Sequence, residues 1–193
     1  MEKTVRAFVA VEISSDIRGQ ARRLIAELAA TSANVKWVEP ENLHFTLKFL
    51  GDVPLLEVPD ICTALADAVS DLPPFDVQAR GAGAFPTLER PRTLWLGVDG
   101  GADAMREVHA AVERGLAPYG FRREQRRFRP HLTIGRVRNS SAAGIQDLAE
   151  RLAACREFIG GITDVAEVVV FASEQGRNGP KYEPLSHASL NGS

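Results

Sequence analysis

Histidine and threonine recur in the same short pattern at two places in the chain. The pattern is His44-Phe45-Thr46 in one place and His131-Leu132-Thr133 in the other, each within an apolar stretch. On a β-strand, residues two apart project from the same face about 7 Å from each other, so each motif would present an imidazole beside a hydroxyl. Two hydroxyls can donate to phosphate oxygens, and two imidazoles that titrate at about pH 6.5 can act as acid and base across phosphorus. The pair of motifs therefore predicts a cleft for phosphodiester chemistry.

The spacing between the two motifs, 87 residues, is also the offset of a repeat that runs through the chain. Residues 8–12 match residues 95–99 at this offset, and the apolar stripes of the helical segments that follow match as well. We therefore expect an internal duplication, with a first repeat at 1–91 and a second at 92–193 that together form one compact bilobed unit. The alternative is that duplication copied a structural histidine, which only satisfies hydrogen bonds in the core.

Alternating and apolar stretches predict eight strands with amphipathic helices between them. The expected strands cover residues 6–12, 35–38, 44–50, 75–85, 93–98, 126–137, 165–172 and 182–190. These elements predict an α+β fold in which each lobe is an antiparallel sheet with helices on its outer face. Pseudo-twofold symmetry would then place the two motifs on opposite sides of a central cleft.

Two basic side chains lie close to the motifs in sequence. Lys48 shares the face of the first motif if its strand alternates regularly, so its ammonium could approach the cleft. Arg136 should point away from the second motif on a regular strand, but Gly135 could mark a bulge that turns it back. Both are therefore candidates for contact with a phosphate.

The run 122–129 is the strongly basic part of the chain and leads directly into the second motif. The neighbouring phosphates of a polyanion would lie there, which makes Arg127 a candidate for RNA contact. A solvated edge strand is the alternative interpretation of such a run. The other two histidines are weaker candidates: His109 is expected on the surface of a helix, and His187 has no partner in the repeat.

Composition sets outer limits on function. The chain has 193 residues and a formal net charge of −2, which excludes a uniformly basic nucleic-acid coat. No apolar run approaches the length needed to span a membrane. Cys62 and Cys155 lack CxxC spacing and fit small core residues, so we expect a reduced, cytoplasmic protein. Without a Cys/His cluster, an HExxH pattern or a glycine-rich phosphate loop, we expect neither a metal nor another cofactor.

The residues around both motifs resemble a known family. Segment 43–51 reads LHFTLKFLG and segment 130–136 reads PHLTIGR, and both are similar to the paired signatures of the two-histidine phosphoesterases. Within that superfamily the chain resembles the bacterial and archaeal RNA 2′,3′-cyclic phosphodiesterases, formerly called 2′-5′ RNA ligases. The resemblance extends over nearly the whole chain and implies a bilobed fold, a central V-shaped cleft and no metal cofactor.

The resemblance also implies a substrate and individual roles. The substrate would be an RNA with a 2′,3′-cyclic phosphate end, or a cyclic mononucleotide, opened to a 2′-phosphate. We expect the protein itself to be a monomer. His44 would be the acid that protonates the departing 3′ oxygen, and His131 the base that activates water. Thr46 and Thr133 would hold phosphate oxygens, and Arg136 would match an arginine that approaches the phosphate.

Three other functions compete with this one. The same site could join RNA ends through 2′-5′ bonds, or could act on a small cyclic phosphate. A non-catalytic RNA-binding module is the alternative from a different class. RNA-binding sheets usually present aromatic side chains on central strands, whereas the central strands here carry histidine and threonine, which favours an enzyme.

Overall fold

The computed structural model describes residues 3–176 and 179–193. Within these residues the elements follow in the order β1 (Thr4–Val11), α1 (Ser15–Leu28), β2 (Val35–Trp37), β3 (Phe45–Pro54), α2 (Val58–Val69), β4 (Phe75–Pro86), β5 (Pro91–Val98), α3 (Ala102–Leu116), β6 (His131–Val137), α4 (Ala142–Ala154), β7 (Ile159–Val165), β8 (Glu167–Gly176) and β9 (Gly179–Ser189). Short 3₁₀ turns precede β3 and follow α3. The expected α+β class is confirmed.

The strands form one continuous antiparallel sheet with the order β7-β4-β5-β6-β3-β1-β8-β9, and β2 pairs with β6. The two motif strands, β3 and β6, lie at the centre of this order. They are joined through the pair Phe45 and Leu132, the middle residues of the two motifs. The sheets of the two lobes are therefore fused where the motifs meet.

Each half of the sheet draws its strands from both sequence repeats. Strand β4 belongs to residues 1–91 but pairs with β5 and β7, whereas β8 belongs to residues 92–193 and pairs with β1. The helices cross over in the same way, because α1 packs on β7 and α4 while α2 packs on α3 and β9. The structural lobes therefore do not coincide with the repeats.

The helices cover one face of the sheet, where the main core lies. In β1, Val9 and Val11 face this core, whereas the alternate residues Phe8 and Ala10 belong to a second, smaller cluster with Val169 and Phe171. Because strand residues alternate between faces, the smaller cluster lies on the face away from the helices. The sheet thus separates a helix-covered core from an aromatic patch that borders the motifs.

One predicted strand boundary is wrong, and one strand was not predicted. The expected strand 126–137 begins only at His131, and residues 121–130 form no regular strand or helix apart from a bend. The expected strand 165–172 corresponds to β8, and β7 before it was not predicted because its residues were assigned to the end of a helix. No helix in the described part of the chain is both long and apolar enough to cross a bilayer.

Candidate active site

The two motifs line one cavity of about 600 Å³ at the centre of the sheet. This volume lies in the range of small-molecule binding sites. All four motif residues line it, and so does Arg136. The structure therefore brings together five of the residues that the sequence analysis selected.

Each motif holds its imidazole by the same backbone contact. His44 Nδ1 lies 2.8 Å from the carbonyl oxygen of Asn42, and His131 Nδ1 lies 2.7 Å from the carbonyl oxygen of Arg129. Both carbonyls belong to the residue two positions earlier, so the contact itself repeats at the offset of 87. Because a carbonyl only accepts, Nδ1 carries the proton in each neutral ring and Nε2 is left for proton transfer.

The surroundings of the two imidazoles differ. The His44 ring stacks on Phe8 with centroids 4.8 Å apart, and Tyr182 meets it edge-on at 5.3 Å. The His131 ring meets Phe85 edge-on at 5.0 Å. The first imidazole is therefore enclosed by aromatic rings, whereas the second has one aromatic neighbour among the residues that the structure describes.

Burial favours the neutral form of both imidazoles. It lowers the pKa of His44 to about 4, against the opposing effect of the hydrogen bond to Asn42. Burial also lowers the pKa of His131, where the hydrogen bond to the Arg129 carbonyl opposes it and the charges of Arg129 and Arg136 add to it. Both rings are thus neutral at pH 7 in the free protein, and a bound phosphate anion would favour their protonation.

A bulge in each motif strand decides which later side chains face the cavity. In β6, Thr133 and Gly135 pair with adjacent residues of β5, which leaves Ile134 as an extra residue. The same irregularity in β3 leaves Leu47 as an extra residue, 87 positions earlier. Beyond a bulge the alternation of faces shifts by one. Arg136 therefore turns into the cavity, as the bulge hypothesis required.

The same shift turns Lys48 away from the cavity, so its predicted approach to the cleft is wrong. The Lys48 side chain is buried, and its Nζ donates to Glu113 Oε1 at 2.5 Å and to the carbonyl of Arg122 at 2.9 Å. The prediction failed because it assumed regular alternation along β3. Phe49, the next residue, takes the place that faces the cavity.

Three further candidates lie outside the cavity. His109 was expected on the surface but is buried, with its ring stacked on Phe128 at a centroid distance of 4.0 Å. His187 lies on β9, and its Nδ1 is 2.8 Å from Glu167 Oε1. Arg127 is exposed on segment 121–130 and does not line the cavity.

Several cavity residues were missed in the sequence. Among them are five aromatic residues and one arginine: Arg6, Phe8, Phe49, Phe85, Phe128 and Tyr182. The offset of 87 was an available signal for one of them, because Phe49 is the repeat partner of Arg136. The cavity therefore combines aromatic side chains with the motif residues, so the contrast drawn between an aromatic RNA platform and a histidine–threonine cleft was too sharp.

One group of possible metal ligands occurs among residues 3–176 and 179–193. Ligand atoms of Glu12, Glu167 and His187 all lie within 4.8 Å of one another. None of these residues lines the cavity. The cavity side chains that can donate to a phosphate are hydroxyls, imidazoles, guanidinium groups and the amides of Asn42 and Gln175.

Comparisons with known proteins identify the family. Residues 13–177 match the family model of the 2′-5′ RNA ligase superfamily. An RNA 2′,3′-cyclic phosphodiesterase of Methanothermobacter thermautotrophicus is 37% identical over 181 residues, which make up 94% of this chain and 96% of that protein. A protein of the same name from Aquifex aeolicus is 32% identical, covering 98% of this chain and all of its own length.

Solved structures share the fold at lower identity. A protein of Thermus thermophilus aligns with a TM-score of 0.79 and 24% identity, over 97% of this chain and 99% of its own. Escherichia coli LigT complexed with 3′-AMP aligns with a TM-score of 0.76 and 23% identity, again over 97% of this chain and 99% of its own. The family model and the two sequence relatives each span most of the chain, and the chain therefore belongs to the 2′-5′ RNA ligase superfamily.

Proposed function

We propose that the protein hydrolyses RNA 2′,3′-cyclic phosphate ends to 2′-phosphates, with its paired histidines as acid and base and without a metal. The observation that carries this proposal is the single cavity lined by two motifs, in which both imidazoles are anchored through Nδ1. The relatives named RNA 2′,3′-cyclic phosphodiesterase support the class of substrate. Because the two cysteines are unpaired, we further propose that the protein works in the cytoplasm. We also propose that it acts as a monomer.

The phosphate is bound by donors from both motif strands. The hydroxyls of Thr46 and Thr133 donate to its non-bridging oxygens, and the Arg136 guanidinium adds a positive charge. Arg136 is exposed and has a long contact of 3.4 Å to the Thr93 hydroxyl, which leaves other N–H groups for a ligand. These contacts hold phosphorus between the two imidazoles.

The reaction then moves two protons. His131 Nε2 accepts a proton from water as the water oxygen forms a bond to phosphorus. The bond from phosphorus to the 3′ oxygen breaks, and His44 gives its proton to that oxygen. The products are a 2′-phosphomonoester and a free 3′-hydroxyl, and the two histidines exchange protons with solvent before the next cycle.

Substrate binding supplies the charge state that the acid needs. In the free protein, burial keeps the pKa of His44 at about 4, so the ring is neutral at pH 7. A phosphate anion beside the ring favours the imidazolium, and the face of Phe8, on which the ring stacks, can stabilise that cation. The acid is therefore charged when the substrate is in place.

A nucleobase can stack beside the phosphate site. Phe49 lines the cavity and remains 62% exposed, which is unusual for a phenylalanine in the centre of a sheet. Base stacking on an aromatic ring contributes about 1–3 kcal/mol and tolerates any base. Phe49 is therefore proposed to bind the terminal base without selecting its identity.

The decisive experiment is product identification in the presence of EDTA. The protein is incubated with an oligonucleotide that ends in a 2′,3′-cyclic phosphate, and the product is compared with 2′- and 3′-phosphate standards. We expect the 2′-phosphate at an undiminished rate, loss of activity in His131→Ala, and retention in the control His187→Ala. A 3′-phosphate, or EDTA inhibition that a divalent metal reverses, would contradict the proposal. A joined product with 5′-hydroxyl RNA would indicate ligation instead.

A further inference from the structure

Segment 121–130 links α3 to the base histidine, His131, without regular secondary structure. Residues 122–129 contain five arginines and one glutamate, and all of these side chains are exposed. So many like charges in a short exposed segment repel each other and would favour an extended, mobile chain. Its conformation must therefore be held by contacts outside the segment.

A buried ion pair supplies such contacts. Lys48 and Glu113 lie on β3 and α3, and their side chains are only 4% and 7% exposed. Lys48 Nζ donates to the carbonyl of Arg122 at 2.9 Å, and Glu113 Oε2 accepts from the N–H of Glu124 at 3.2 Å. The pair is thus bonded to the backbone of the segment at two points.

A second contact fixes the other end of the segment. Phe128 stacks on the buried His109 ring with the two planes 2° apart. Both Glu124 and Phe128 line the cavity, so the anchored segment borders the phosphate site directly. The Arg129 guanidinium lies 5.1 Å from the centre of the Phe85 ring, which is also a cavity residue. The arginine surface therefore continues from the wall of the cavity.

A contribution to the stability of the fold is not enough to explain why this ion pair is buried. Replacing a buried pair by apolar residues of similar volume is often neutral or stabilising, because both charges must leave water. Here the pair also bonds two peptide groups that belong to the basic segment. These bonds to the backbone indicate that the ion pair holds the segment in position.

We propose that the Lys48–Glu113 pair is a positioning device, which fixes segment 121–130 as a docking surface for the RNA strand that leads to the cyclic phosphate. This inference rests on the proposed function and extends it from the terminal nucleotide to the upstream backbone. The occupant is a polyanion because the surface is strongly cationic, and it is the substrate RNA because the surface begins at the cavity. A cyclic mononucleotide is too short to use it.

The test compares a cyclic mononucleotide with a ten-nucleotide RNA that ends in the same cyclic nucleotide. The double variant Lys48→Met/Glu113→Leu removes both charges without leaving either one buried alone. We expect KM for the RNA to rise roughly tenfold with little change in kcat, while both constants for the mononucleotide change less than about twofold. The dependence of log KM for the RNA on log salt should weaken by about 0.7 per lost phosphate contact.

Combining the double variant with arginine substitutions distinguishes a positioning role of the ion pair from a general effect on the structure. Arg126→Gln/Arg127→Gln should raise KM for the RNA in the native background but add little in the double variant, because the segment is already displaced. The control Arg80→Gln/Glu157→Gln removes an exposed ion pair of 2.8 Å and should leave the ratio of the two substrates unchanged.

Equal losses on both substrates, or an unchanged salt dependence, would overturn the positioning role. If the double variant fails to fold, the variant Arg126→Gln/Arg127→Gln still tests the proposal. An unchanged KM for the RNA in that variant would show that the segment is not a docking surface. Failure of the proposed function has a different signature, because the native protein would then hydrolyse neither substrate.

Discussion

Replacing His44 by asparagine should change how the stability of the protein depends on pH. The asparagine amide can donate to the Asn42 carbonyl in place of Nδ1, but it does not titrate. In the native protein the buried ring has a pKa of about 4, whereas the ordinary value is 6.5. The unfolded chain therefore binds a proton at this position over a pH range in which the folded protein does not.

The size of the effect follows from proton linkage. A lowered pKa gives a stability margin that is present above pH 6.5 and is lost as the pH falls towards 4. Between pH 7 and pH 5, the two pKa values correspond to a loss of about 2 kcal/mol in the free energy of unfolding. His44→Asn should lose about 2 kcal/mol less than the native protein over the same interval, because all other groups titrate in both.

Urea unfolding followed by tryptophan fluorescence at pH 7 and pH 5 measures this difference. Thr46→Val is the matched control, since it alters the same strand without removing a titrating group, and its pH dependence should parallel that of the native protein. If His44→Asn also ran parallel to the native protein, burial would not hold the imidazole neutral. The account of how substrate charges the acid would then fail.

Steady-state kinetics with a 2′,3′-cyclic mononucleotide tests the rest of the site. Thr133→Ala should lower kcat/KM roughly 10- to 100-fold through one lost charge-assisted hydrogen bond, and an unchanged value would remove this hydroxyl from the phosphate site. Arg136→Ala should raise KM about tenfold or more, whereas an effect only on longer RNA would place it outside the site. Phe49→Ala should raise KM at least about fivefold and Phe49→Trp should not, because stacking needs only a ring. Since burial lowers both histidine pKa values, the pH profile of kcat/KM should be bell-shaped with its alkaline limb below pH 6.5. In the profile of kcat, the bound phosphate should shift the alkaline limb to higher pH. A profile that is flat from pH 5 to 9 would exclude the two histidines as acid and base.

The chemistry of the site could be predicted because it depends on short-range spacing. His44 and Thr46 lie two residues apart at the start of β3, and an offset of 87 reproduces them at His131 and Thr133. Period-two alternation then places each pair on one face without further information. The same offset predicted that the two motif strands would be equivalent, and they meet at the centre of the sheet.

Bulges, and contacts between segments that are distant in the chain, could not be predicted in the same way. The extra residue Leu47 shifts the faces of β3, so Lys48 enters the core and Phe49 enters the cavity. A bulge was considered only beside Gly135, because glycine is a local signal and leucine is not. His109 was predicted to lie on the surface of a helix, but the Phe128 ring that covers it comes from a segment without regular structure.

The pairing of strands across the repeats was also outside the reach of sequence patterns. Strand β4 follows α2 in the chain yet pairs with β5 and β7, and nothing in its alternation selects these partners. The fold class could therefore be predicted, whereas the composition of each lobe could not.

The central claim is that His44 protonates the departing 3′ oxygen while His131 activates water. The most direct measurement compares a 2′,3′-cyclic substrate with an analogue in which sulfur replaces the bridging 3′ oxygen. A thiolate is a far better leaving group, with a pKa of about 8.5, and needs no acid. His44→Ala should therefore lose roughly 10²- to 10⁴-fold on the oxygen substrate but little on the sulfur analogue, whereas His131→Ala should lose heavily on both. Equal losses in the two variants on both substrates, or rescue of His131→Ala by sulfur, would contradict the assignment.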